Sequence, residues 1–445
     1  MVFGAVEVAI GVAILLLILY YYSTATYNFW SDKGVIGPQP VIFFGTIKEI
    51  LRRRLSIGTY LKKVYDEYRD EPMVGIYARR EPILVLHDMD LIKTVLIKDF
   101  SYFSDRGLGM DEVHEPLSAH LFSLESERWR LLRPKLSPAY TSGKLRDMFY
   151  LLKQCADQLE GYLADLDGQS VDVRELAARF TTDVIGVCAF GIEANAMKDE
   201  DSIFRRMGRR ITATDLKSSL RFLVRSFAPL LYSWIGHWLV DWELNDFFVD
   251  LTRDTMEYRK NNKIVRHDFI DQLRELKEAT NNKNGELELT DQLLAAQLFV
   301  FFLAGFETSS STMSNCLFEL AMNHNIRDRL REEIRECLES TNYEWTYEGI
   351  KEMKYLDRVV KETLRKYPPV TSIMRKSTAP YTFPGTKVSI PTGTRVWIPN
   401  FGIQRDPRYF PNPEVFDPDR FTEEAVKSRP QMTFLAFGDG PRNCI

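Results

Sequence analysis

The residues best suited to chemistry lie in the last stretch, Phe437-Gly438-Asp439-Gly440-Pro441-Arg442-Asn443-Cys444. Two glycines and a proline force an irregular tight loop. Backbone N–H groups turned into such a nest, with Arg442 beside them, favour the thiolate form of Cys444. Thiolate is one of the ligands by which proteins hold iron, whereas an isolated loop cysteine is ordinarily a structural residue. A second constellation is Ala304-Gly305-Phe306-Glu307-Thr308-Ser309. A helical threonine can turn its hydroxyl back to the carbonyl four residues earlier, here Ala304. With Gly305 alongside, the helical ladder can open into a small groove. A hydroxyl and the Glu307 carboxylate in an apolar helix would suit dioxygen and the protons it consumes. On this helix alone, packing of Thr308 and Ser309 with Glu307 in solvent explains the residues equally well.

Two further pairs carry charge at helical spacing. Glu362 and Arg365 are three apart and share a helix face, a spacing that a solvated ion pair also has. Trp129 and Arg133 are one turn apart, with Arg128, Arg130 and Lys135 around them. That segment reads either as a surface basic helix or as one that presents Trp129 and Arg133 to an anionic group.

The elements that would position these residues are overwhelmingly helical. Thr290 is an N-cap candidate for a helix from Asp291 to about Asn323, roughly 50 Å long at 1.5 Å per residue. Its middle, Leu293 to Phe306, is apolar on nearly every face, as a central buried helix is. Three-and-four apolar spacing predicts helices over Ile47–Asp70, Lys144–Leu166, Val173–Phe190, Asp241–Asn262 and Ile326–Tyr367. Short strands are expected at Ile83–Leu86, Lys387–Ile390 and Arg395–Ile398, and Ala279–Gly285 reads as a polar loop. Pro399–Phe421 holds five prolines and little periodicity, and an irregular stretch of that length is usually functional. The class is mainly α with a small β portion.

Val2–Tyr22 is apolar apart from Glu7 and long enough to span a bilayer as a helix. The positive charges follow it, at Lys33, Lys48, Arg52, Arg53, Arg54, Lys62 and Lys63. A retained single-pass signal anchor with a cytosolic remainder is therefore expected rather than a cleaved signal peptide. Gly34 to Pro40, with two prolines, reads as a stiff turn. The division is an anchor over 1–22, a linker with a proline-rich hinge over 23–45, and a catalytic domain over 46–445. The formal net charge of -4 and the lack of an arginine-rich arm argue against nucleic acid. Five scattered cysteines and six dispersed histidines give neither a disulfide framework nor a zinc pattern.

The cysteine loop resembles the haem-binding signature of the cytochrome P-450 superfamily, and the other three constellations stand at the order and distances of that family. The resemblance implies that fold, haem b with Cys444 as axial iron ligand, and oxidation by a haem-thiolate monooxygenase. It implies that Arg442, Arg375, Trp129 and Arg133 hold the haem propionates and that Ala304, Gly305 and Phe437 lie against the cofactor. Thr308 and Glu307 would manage oxygen and protons. The Glu362–Arg365 pair would be buried and joined by Arg420 of Pro418-Asp419-Arg420-Phe421, holding the long loop beneath the cofactor; Asp419 departs from the usual Glu. Leu136 to Lys144 and Tyr258 to Asn262 resemble insect microsomal members linked to xenobiotic detoxification.

The expected partners are a lipophilic small molecule, the endoplasmic reticulum membrane and a separate NADPH–cytochrome P-450 reductase, because no Gly-x-Gly-x-x-Gly follows a strand. A pocket is expected from Phe301, Phe302, Ala304, Val370–Ile373 and Phe103–Phe122, with Phe222–Val240 as a lid or a core helix. The family pattern continues past Cys444 with a glycine, a helix and a hairpin, so the chain reads as carboxy-terminally truncated. The competing readings are an oxygen-independent haem-thiolate isomerase or dehydratase, in which Thr308 would be idle, and a truncated product without cofactor.

Overall fold

The computed structural model describes every residue except Met1, Met110, Thr214, His267 and residues 282–287. The chain divides into two compact units, residues 1–107 with 361–444, and residues 108–360.

The first unit opens with an apolar helix, Val2–Thr24, whose stretch Val6–Thr24 has a mean hydropathy of 2.0 and is almost wholly exposed. Its sheet has the order β1 (Met73–Ala78), β2 (Glu81–Leu86), β6 (Arg395–Ile398), β3 (Ile373–Lys376). β2 runs parallel to β6, with Ile83 opposite Arg395, and the other pairs are antiparallel. β4 (Tyr381–Thr382) and β5 (Ser389–Ile390) form a separate small hairpin. Residues from both sequence segments, such as Trp30, Phe103, Phe383, Val396 and Leu435, close one hydrophobic core.

The second unit is helical, and the helix Asp291–Met322 is its longest element. Thr290 caps it, with its hydroxyl accepting from the Leu293 N–H at 3.1 Å. An aromatic cluster of Phe190, Phe204, Phe248, Phe302 and Phe306 packs around its middle. Gln297, fully buried in this apolar stretch, spends its amide on the Leu121 N–H (2.8 Å) and the Ala119 and Leu293 carbonyls (3.1 and 2.8 Å). It thereby ties the preceding loop to the helix, and no amide group is left unpaired against lipid-like surroundings.

Several expectations need correction. The helix predicted over Ile47–Asp70 is two, Lys48–Leu51 and Ile57–Glu67, broken where Arg53 takes φ 55° and Ser56 caps the second. Phe222–Val240 is not one element, since Leu216–Phe227 ends and Pro229 starts a second helix to Leu239, and the exposed Leu230, Trp234 and Trp238 are not those of a core helix. Phe302 and Phe103 are fully buried in aromatic clusters with Phe190 and Phe248, and with Tyr381 and Phe383, so neither lines an open pocket. The polar loop expected from Ala279 begins later, since the helix Phe269–Asn281 includes its first residues and 282–285 lie outside the described residues. Pro399–Phe421 contains a helical turn at Asn400–Ile403 and a 3-10 turn at Pro418–Phe421.

Candidate active site

In the first unit the cysteine loop closes on itself. The Cys444 N–H donates to the Phe437 carbonyl at 2.8 Å, and Asn443 N–H to Gly440 O at 3.0 Å. Gly438 and Gly440 take φ of 70° and 75°, the left-handed region where a side chain strains the backbone. Position 440 has a second reason to be glycine: a Cβ there would stand 1.9 Å from the Leu96 carbonyl oxygen. Cys444 is exposed at the loop's end, and no N–H among the described residues donates to its sulfur. The nest of donors expected for the thiolate is therefore bent onto Phe437 O and Gly440 O. Phe437 is itself 58% exposed.

Arg442 points inward and is 1% exposed. Its carbonyl accepts from Arg106 Nη2 at 2.8 Å. Arg375 stands on the buried side of the alternating strand β3, also 1% exposed, with Nη1 donating to its neighbour's carbonyl, Met374 O, at 2.9 Å. Its Nε is buried without a partner. Burial, with the like charges of Arg106 and Arg442, pulls the Arg375 guanidinium down to about 9. A guanidinium buried in a low dielectric beside two like charges calls for an anion. Arg106 escaped the sequence reading because nothing local marks it. The bridge that sets it beside β3, Lys376 N–H to Asp105 O at 2.8 Å, joins positions far apart in sequence.

Glu362 and Arg365 are fully buried and joined in a bidentate pair, both contacts at 2.7 Å. Arg365 also donates to the carbonyls of Gln404 (3.0 Å) and Pro413 (2.7 Å). Glu362 Oε1 accepts from the Asp417 N–H at 3.0 Å and lies 3.5 Å from Arg420 Nε, whose Nη2 reaches Asn412 O at 3.0 Å. The structure thus brings Glu362, Arg365 and Arg420 together and fastens the proline-rich stretch to the helix Lys354–Lys366. With two hydrogen bonds from Arg365 and one from the Asp417 N–H on the Glu362 carboxylate, the buried pair has geometry that helps offset its desolvation.

In the second unit, Thr308 Oγ1 donates to Ala304 O at 2.7 Å. Thr308 and Ala304 are both exposed. The groove does not form as expected. The helix is unbroken from Asp291 to Met322, and Gly305 serves close packing: a Cβ there would lie 2.7 Å from Ile185 Cδ1. Ile185 ends the helix Val173–Ile185, whose Thr181 hydroxyl donates to the Phe306 carbonyl at 3.0 Å. Glu307 is ion-paired with Arg174 of that helix, and Arg174 also bonds the Ser311 hydroxyl. Consecutive helical residues project about 100° apart, so Glu307 is committed to a different face from Thr308. Trp129 and Arg133 lie one turn apart on Ser126–Leu136, Trp129 buried and Arg133 half-buried. The basic face is smaller than expected, because Arg128 is taken up by Glu112 and Glu125.

An exposed cysteine closing a glycine-shaped loop, with Arg375 buried and its Nε unpartnered in the same unit, suits a haem-thiolate enzyme. The family model for cytochrome P450 matches residues 36–445. Cytochrome P450 6a2 of Drosophila melanogaster is 40% identical over 457 residues, covering 100% of this chain and 89% of that protein. Cytochrome P450 6A1 of Musca domestica is 39% identical over 98% of this chain and 87% of its own length. Cytochrome P450 6k1 of Blattella germanica is 38% identical over 97% and 86%. The chain belongs to the cytochrome P450 family: it is a monooxygenase, and its cofactor is haem b.

Proposed function

We propose that this chain inserts one atom of dioxygen into a lipophilic small molecule in xenobiotic metabolism, at the endoplasmic reticulum membrane, with electrons from NADPH through a separate reductase. The observation that carries the reading is the pairing of an exposed Cys444, ending a loop that only glycines can form, with the buried, uncompensated Arg375 in the same unit. Haem b suits both: a thiolate is one of its axial ligands, and its carboxylates would supply an anion for Arg375. Bound haem supplies one-electron and dioxygen chemistry, and a thiolate ligand pushes electron density that favours O–O cleavage.

The chain's own residues then have distinct tasks. Cys444 ligates iron, and Arg375 and Arg442, with Trp129 and Arg133, take the propionates. Thr308 holds a proton at Oγ1 against Ala304 O and can release it toward a reacting oxygen without disturbing the ladder, because that carbonyl keeps its main-chain partner. Glu307 contributes only when it leaves Arg174. Glu362, Arg365 and Arg420 keep the chain leading to the cysteine loop in place. The helix Val2–Thr24 anchors the protein in the bilayer, the rest being cytosolic. The relatives' membership of a group found in insects supports a detoxifying role, as do the runs Leu136–Lys144 and Tyr258–Asn262. Incubating the holoprotein and reductase with lipophilic test compounds under isotopically heavy dioxygen tests the reaction. One heavy oxygen atom per product molecule is expected; product whose new oxygen derives from water contradicts it.

A further inference from the structure

The helix Lys354–Lys366 runs into Pro368 and Pro369, and neither proline has an N–H to give. The carbonyls of Leu364 and Arg365, four residues earlier, therefore lack their helical partners by sequence alone. Gln404 meets both: its Nε2 donates to Leu364 O at 3.1 Å and to Arg365 O at 2.9 Å. Its own carbonyl accepts from Arg365 Nη1 at 3.0 Å. The residue is fully buried, and its remaining side-chain atom, Oε1, accepts from the Leu435 N–H at 3.0 Å. One amide thus joins the end of the Glu362–Arg365 helix to the chain that enters the cysteine loop.

Asn400 opens the same helical turn, Asn400–Ile403, which Gln404 closes with its N–H on Asn400 O at 2.9 Å. That spacing puts the two amides on one side. Asn400 is also fully buried, and its Nδ2 donates to Val370 O at 3.1 Å and to Leu435 O at 3.3 Å. Its Oδ1 is buried with no partner, a cost that an apolar residue would avoid, so what the amide contributes is its donor. Leu435, 2% exposed, is thereby held at both polar groups of its backbone. Among the described residues, no other side chain from outside the stretch bonds the backbone of residues 430–437. Two further bonds pass the hold forward. Leu435 O also accepts from the Gly438 N–H at 3.0 Å, and Phe437 O accepts from the Cys444 N–H at 2.8 Å.

We propose that Gln404 and Asn400 are positioning residues for the iron ligand: by pinning Leu435 they fix where the cysteine loop starts, and so where Cys444 presents its sulfur to haem iron. The two are unequal. Without Asn400, Leu435 O keeps the Gly438 N–H. Without Gln404, the Leu435 N–H has no second acceptor among the described residues and is left buried and unpaired, the costlier state. Glu362, Arg365 and Arg420 hold the proline-rich stretch, and Gln404 is the link through which that frame reaches the cysteine.

The proposal rests on Cys444 being the iron ligand, and the test separates the two. The readout is the share of bound haem whose reduced carbonyl complex shows the red-shifted Soret band of thiolate ligation. Gln404→Met keeps the side chain's length and loses every bond, so the share should fall several-fold while haem stays bound. Gln404→Glu keeps an acceptor for the Leu435 N–H and loses the donors to Leu364 and Arg365. Its share should return close to the parent's, although its thermal midpoint drops. Asn400→Leu should lower the share less than Gln404→Met does. Tyr65→Phe, which removes the 2.7 Å bond from Tyr65 Oη to Asp406 in the same unit and leaves the bonds to Leu435 in place, should lower the thermal midpoint alone. A Gln404→Met share equal to the parent's overturns the inference. So does a Gln404→Glu share as low as that of Gln404→Met, which assigns Gln404 to capping the helix. Should Gln404→Met not accumulate as holoprotein, Asn400→Leu decides: a share below that of Tyr65→Phe supports the inference, and an equal one overturns it. A parent holoprotein without the thiolate band overturns the Cys444 assignment, and the inference with it.

Discussion

A guanidinium buried to 1% exposure with one nitrogen unpartnered, as Arg375 has, is costly unless an anion meets it. The residue scale is therefore where the cofactor is most visible. At Thr308 the account predicts a division of effects. Thr308→Ala removes a hydroxyl that, among the described residues, bonds only Ala304 O at 2.7 Å, so haem content and substrate affinity should stay near wild type. Loss of a positioned proton donor is typically worth roughly 10²–10⁴ in rate. The ratio of product formed to NADPH oxidised should fall, with the missing electrons recovered as hydrogen peroxide. An unchanged ratio would make Thr308 a packing residue. The turned-back hydroxyl, the Glu362–Arg365 pairing and the glycine loop were readable in the sequence, because each depends on neighbours within a few positions; burial of the pair came only from the resemblance. Arg106 and the engagement of Glu307 by Arg174 were not, since both are set by chain crossings of more than a hundred residues.

At the scale of elements, the decisive contact is between the helices Val173–Ile185 and Asp291–Met322. Gly305 lets them approach, and Thr181 bonds across to Phe306 O. Gly305→Val should destabilise the second unit by about 1–3 kcal/mol through overpacking against Ile185. Ile185→Ala in the same chain should recover much of that loss, and a double-mutant cycle on urea midpoints reads the coupling. Additive losses would show that Gly305 and Ile185 do not share the contact. Helix periodicity located the long helix and its Thr290 cap to within a residue or so. It joined Ile47 to Asp70 wrongly because the spacing persists across a break that only Arg53's positive φ makes. β1 was missed because it is buried on both faces, which removes the alternation that marks a strand, and β3 because its alternation lasts only four residues.

At the scale of the whole molecule, acid stability should report the core of the first unit. His87 is 4% exposed, its Nδ1 bonded to Tyr68 O at 3.1 Å and its ring edge-on to Tyr65. Burial holds its imidazole down at about 4. The unfolded chain binds the proton near pH 6.5 and the folded one only near 4, so stability is full above 6.5 and falls as pH drops toward 4. The loss is about 3 kcal/mol at most. Urea midpoints across that window should fall less steeply for His87→Gln than for the parent; equal slopes would place the acid sensitivity elsewhere. What the sequence could not convey at this scale is the division into two units, because the first is assembled from both ends of the chain. The central claim is that Cys444 is the thiolate that holds haem iron, and the reduced carbonyl complex tests it most directly. The parent holoprotein should show the red-shifted Soret band of a thiolate-ligated haem, and Cys444→Ser should lose it, since an alcohol is a poor iron donor. A Cys444→Ser protein with the parent's Soret band would contradict the account.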